Sequence, residues 1–172
     1  MSRTIRTKVY QFSELSEQAK QKAIEVMSDC NVFSDWWDSV YEDAKNIGLK
    51  ITGFDIDRAS YCNGDFILSA CEVAQNISNE HGETCSTYKT AESFIDEWQP
   101  IFTNYMDESH ADYESRESEQ KMQELEDEFL KTLCEDYRII LSREYDYLTS
   151  EAAIIETIEA NEYEFKADGT RF

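Results

Sequence analysis

Two aspartates one residue apart, Asp55 and Asp57 in GFDIDRASYCNGDF, are the first residues whose type and spacing suit chemistry. Hard cations such as Mg²⁺ and Ca²⁺ take carboxylate oxygens, so a metal-dependent hydrolase using Asp55 and Asp57 is one reading. The calcium-loop pattern fails further on: Ala59 and Ser60 occupy the next ligand and glycine positions, and Phe66 stands where the bidentate glutamate belongs. A third ligand has to come from elsewhere in the fold. The plainer reading puts both carboxylates on the exposed face of a strand, where they add to surface charge.

Cys62, Cys71, His81 and Cys85 supply the ligand types of a Cys₃His zinc site, but their spacing holds no C-x₂-C knuckle. Buried thiols account for the cysteines more simply, and His81 before Gly82 suits a cation at a helix C-terminus. A Cys/His nucleophile pair has no supporting flanking pattern, and the five glycines are scattered rather than gathered into a phosphate loop. None of the 37 acidic residues is singled out as a general acid or base. The expectation is a protein without enzymatic activity, metal or cofactor.

The net charge of −21 is far larger than solubility requires. It repels nucleic acid and anionic membrane and attracts basic proteins. It is also uneven. Residues 1–27 carry five Lys/Arg against three Glu, whereas residues 59–115 carry eleven Asp/Glu against Lys89 alone. Glu92, Asp96 and Glu97, followed by Asp107, Glu108, Asp112 and Glu114, fall at helical spacings that set carboxylates in a row. DNA presents one phosphate per roughly 3.4 Å of axis per strand, so such a row fits a groove built for nucleic acid. In NYMDESHADYE, Tyr105 and Tyr113 stand among these acids and suit stacking against arginine. The bland alternatives are a solvated connection between helices and a proteome adapted to salt; the clustering of the basic residues argues against the latter.

These residues need a scaffold, and 41% hydrophobic residues with three Trp, ten Tyr and nine Phe argue for a folded one. The chain suits a single domain over 1–172. TIRTKVYQF reads as a strand, with Ile5, Thr7 and Val9 on one face and Arg6 and Lys8 on the other. Ser13 or Ser16 caps a helix ending near Asp29, and Ser34 caps a second helix that closes at Gly48. Residues 49–70 read as a β-hairpin with a bulge at Gly53, Asp55 and Asp57 on one face, and a turn at Asn63-Gly64. Helices follow, one ending at His81-Gly82 and one starting at Thr84 or Ser86, with Pro100 at the start of a new helix or at a kink. From 117 to 147 apolar residues recur at 3 and 4 spacing, a helix of about 45 Å expected to project from the domain or to pair with a second copy in a homodimer. A last helix from Ser150 leads into EYEF, an edge strand. The order predicts an α+β fold: a small, mostly antiparallel sheet of N-terminal strand, central hairpin and C-terminal strand, packed by several helices.

Five cysteines without paired spacing and an N-terminus lacking an apolar core predict a reducing, cytoplasmic setting. No apolar run reaches the length of a membrane span.

RTIRTKVYQFSELS, WWDSVYEDAKNIGLKITGFDIDRASYCNGDF and ANEYEFKADGTRF resemble small acidic phage- and prophage-encoded proteins, some labelled antitoxins of toxin–antitoxin stability systems. The resemblance implies a phage setting in the host cell cytoplasm and carries no catalytic motif. With the charge, it leads to a non-enzymatic inhibitor that binds a basic, nucleic-acid-binding surface of a host defence or nucleic-acid-processing protein. Such an inhibitor would be anti-CRISPR- or anti-restriction-like, a DNA mimic that does not itself bind nucleic acid. The alternative is an antitoxin neutralising a small basic toxin.

Overall fold

A computed structural model describes residues 7–107 and 112–172, with side chains for 7–106 and 116–172. The fold is α+β, 62% helical, and the described residues form six helices and two small antiparallel sheets of two strands each. The strands therefore make two separate pairs where the sequence suggests one sheet. The chain divides into two compact units, Met1–Trp36 with Arg143–Phe172, and Trp37–Ser142.

In the first unit β1 (Tyr10–Gln11) pairs antiparallel with β4 (Glu164–Phe165), Tyr10 opposite Phe165. Residues 4–6 of the predicted N-terminal strand, 4–12, lie outside the described residues, and 7–9 are not strand. The ladder is short because the β4 that faces β1 is itself two residues long. Ser16 caps α1 (Glu17–Val26), its hydroxyl accepting from the Ala19 amide at 3.3 Å, and Ser150 does the same for α6 (Glu151–Ala160) through Ala153. Beyond Val26 the chain unwinds into tight turns, so α1 stops short of Asp29. Phe12, Leu15, Ala23, Ile154, Ile158 and Phe165 are among the residues that build this unit's core.

In the second unit α2 (Asp38–Ile47) starts four residues after Ser34, because Asp35 takes a left-handed φ of 41° that no helix can include. Gly48 ends α2 at φ 96°, as its sequence position predicts. β2 (Leu49–Asp55) then pairs with β3 (Tyr61–Phe66), Ile51 opposite Gly64 and Gly53 opposite Asn63. Two steps on β2 against one on β3 make the expected bulge, after which Phe54 meets the rings of Trp37 and Tyr41 at 5.6 and 6.1 Å.

The hairpin turn, however, is not Asn63-Gly64, which lie inside β3. It falls after Asp55, whose carboxylate accepts from the Asp57 amide at 2.7 Å in an Asx turn. Gly64 serves close packing instead: a Cβ there would sit 3.0 Å from the Lys50 carbonyl oxygen and 3.3 Å from Cys134 Sγ. Ala70, expected at the end of the returning strand, opens α3 (Ala70–Glu80) behind a capping box of Ser69 and Glu72. α4 (Ser86–Asp107) runs unbroken through Pro100, and α5 (Asp112–Leu148) exceeds the predicted 117–147 at both ends.

Candidate partner-binding surface

The second unit contains one constellation shaped like catalytic machinery. His81, capping α3, lies 2.7 Å through Nδ1 from the Thr87 hydroxyl in the first turn of α4, and 3.6 Å through Nε2 from Asp43 on α2. The hydroxyl–imidazole–carboxylate order is that of an activated nucleophile. Thr87, however, is 2% exposed, which leaves no room for a substrate carbon at its hydroxyl. Tyr137, fully buried on α5, donates to the other Asp43 oxygen at 2.8 Å, and Thr90 donates to Asp136 at 2.7 Å. These bonds staple α2, α3, α4 and α5. The His81 imidazole, then the Tyr137 hydroxyl, hold the Asp43 carboxyl below its ordinary value, whereas burial pushes Asp136 up.

Sequence reasoning missed this seam apart from His81. Its legible sign was Thr87 standing at the spacing of the apolar stripe that continues through Ala91 and Phe94, a position where a polar side chain needs a partner.

The four proposed zinc ligands are not brought together. His81 faces Asp43 and Thr87, while Cys62 lies against Cys134, whose thiol, with burial, pushes the Cys62 thiol well up. Asp55 ends β2 and Asp57 stands exposed in the turn, so they share no strand face. Among the described residues no group of three or more His, Cys, Asp or Glu side chains is placed to hold a metal ion.

The acidic residues of α4 and α5 are arranged differently. Thr90 with Asp136, Phe94 stacked on Phe129 at 4.4 Å, and Tyr105 bonded to Glu119 at 2.9 Å run in opposite order along the two helices, which are therefore antiparallel. Burial on α5 lies from Phe129 onward, at Leu133, Tyr137 and Leu141; residues 116–128 are exposed or half-buried.

Along this stretch an open groove runs between the helices. One depression of about 300 Å³ has Phe94 and Phe129 as floor, with Lys89, Glu97, Leu125 and Glu128 around it. The next, of about 510 Å³, is lined by Asp96, Glu97, Pro100, Ile101, Lys121, Glu124 and Leu125, and shares Glu97 and Leu125 with the first. Pro100 has no N–H, so the Asp96 carbonyl lacks its helical donor and adds an acceptor beside the Asp96 carboxylate. Lys121 is paired with Glu117 at 2.7 Å.

Of the predicted partner-binding residues, Asp96 and Glu97 line this groove and Glu92 is exposed on the same helix, where it raises the Tyr88 phenol by accepting its hydrogen bond. Tyr105 spends its hydroxyl on Glu119. Glu108 lies outside the described residues, as do the side chains of Asp107, Asp112, Tyr113 and Glu114. The α5 acids Glu124 and Glu128 were not anticipated, because residues 116–150 mix both charges in sequence. Only the pairing with α4 puts them opposite Glu97. Among the described residues no helix is long and apolar enough to cross a membrane.

No protein-family model, curated protein or solved structure matches this chain.

Proposed function

We propose that this protein is a non-enzymatic acidic inhibitor that occupies a basic, nucleic-acid-binding surface of a host defence or nucleic-acid-processing protein. The observation that carries the reading is the exposed band of carboxylates on α4 and the N-terminal part of α5, where Asp96 and Glu97 stand across a groove from Glu124 and Glu128. A cationic surface docking there releases the counterions of both partners, as it does on a phosphate backbone. The burial of Thr87, which closes off the hydroxyl of the Asp43–His81–Thr87 seam, further favours binding over catalysis.

Immobilised protein incubated with host lysate tests this. The expected result is retention of a basic nucleic-acid-binding protein that double-stranded DNA and about 0.5 M NaCl each release. Retention indifferent to both contradicts it. Recovery of a small basic toxin from the native operon favours the antitoxin reading.

A further inference from the structure

We infer that the groove between α4 and α5 seats a cationic amphipathic helix of the partner, an inference that rests on the function proposed above and names the element recognised. A flat anionic surface would need only carboxylates. Here they rim an apolar floor: Phe94 and Phe129 under one depression, Ile101 and Leu125 in the next. Such a floor recognises side chains that a phosphate backbone does not have.

The dimensions fit a helix. From Lys89 to Ile101 at ~1.5 Å per residue the groove runs roughly 18 Å, about three turns. Phe94 and Ile101 stand two turns apart, about 10 Å, which matches apolar anchors at i and i+7 of an occupant with a third at i+3 or i+4 between them. The rim sets the occupant's charge. Asp96, Glu97, Glu124, Glu128 and Glu117 outnumber Lys89, Lys121 and Lys131, of which Lys121 pairs with Glu117 at 2.7 Å and Lys131 with Glu128 at 3.4 Å. The Asp96 carbonyl freed by Pro100 adds an acceptor that arginine or lysine can reach. Apolar residues on one face and Lys or Arg on its flanks is therefore the occupant's chemistry.

The test uses the full chain and a synthetic peptide of about 16 residues with Leu at i, i+4 and i+7 and Lys or Arg elsewhere, against a scrambled peptide of identical composition. Calorimetry is expected to give at least about tenfold tighter binding of the patterned peptide, with amide shifts confined to the facing turns of α4 and α5. Leu125→Ser, which leaves the charge unaltered, is expected to weaken it at least about tenfold while leaving binding of the scrambled peptide unchanged. Should Leu125→Ser unfold the chain, Ile101→Ser gives the same readout. Equal binding of both peptides, lost in high salt, overturns the groove while leaving the electrostatic function standing. Absence of binding, or shifts outside these two helices, overturns it as well.

Discussion

The seam and the groove of the second unit use the same side chain, a carboxylate, in opposite ways. In the seam, Asp43 meets the Tyr137 hydroxyl and His81, and Asp136 meets the Thr90 hydroxyl. In the groove, Asp96, Glu97, Glu124 and Glu128 gather along apolar ground, and of the lysines beside them Lys131 pairs with Glu128 and Lys121 with Glu117. An acid matched by partners on neighbouring helices specifies their packing; acids crowded on a surface repel one another, and a cationic partner relieves that repulsion. The difference teaches that residues ordered like an active site can serve to join helices, and the proposed function places the partner on the acidic helices instead.

The largest effect should come where the groove floor is also core. Phe129 stacks on Phe94 at 4.4 Å and meets Phe66 at 5.5 Å, so Phe129→Ala is expected to cost about 3–5 kcal/mol in urea unfolding and to abolish peptide binding. Next is Asp43→Ala, which leaves the fully buried Tyr137 hydroxyl without an acceptor and should cost about 1–3 kcal/mol while partner binding persists. Loss of binding without loss of stability in that variant would break the comparison.

Acid titration sharpens it. Asp43, held low, contributes stability that is complete above the ordinary carboxylate value of 3.8 and drains as pH falls through its lowered folded value. Asp136, raised by burial, has the opposite sign: its cost is present when it is ionised and is relieved as pH falls from its raised value toward 3.8. Asp136→Asn keeps an acceptor for Thr90, so it should stabilise the protein slightly at pH 7, by under about 1 kcal/mol, with the gain vanishing below pH 3.8. Smallest in stability is Glu97→Gln with Glu124→Gln, expected within about 0.5 kcal/mol of the parent by thermal melting while weakening the patterned peptide.

Much of the scaffold is readable along the chain, because caps, glycines and helical periods are local. Ser16, Ser150, Gly48, the bulge beside Gly53 and the long helix all stand where residue type demands. Misreadings occur where a local signal has two uses. Asn63-Gly64 has turn chemistry, yet Gly64 is needed for its small size against Lys50 and Cys134, while Asp55 makes the turn with its own side chain. Pro100 breaks one hydrogen bond but not α4, since an exposed helix face lets water meet the freed carbonyl.

The candidate surface was half legible. Asp96 and Glu97 follow from the charge run, whereas Glu124 and Glu128 depend on which face of α5 meets α4, a relation between distant residues such as Phe94 and Phe129 that no short stretch encodes.

The most direct test of the central claim reverses the charge of the groove rim. Parent protein and the Asp96→Lys, Glu97→Lys, Glu124→Lys variant, matched for melting temperature, are used to capture partners from host lysate and eluted stepwise with NaCl up to about 0.5 M, where screening lengths fall to a few Å. The account predicts a basic nucleic-acid-binding protein held by the parent, released within that range, and absent from the variant. The same protein held equally by both would contradict it.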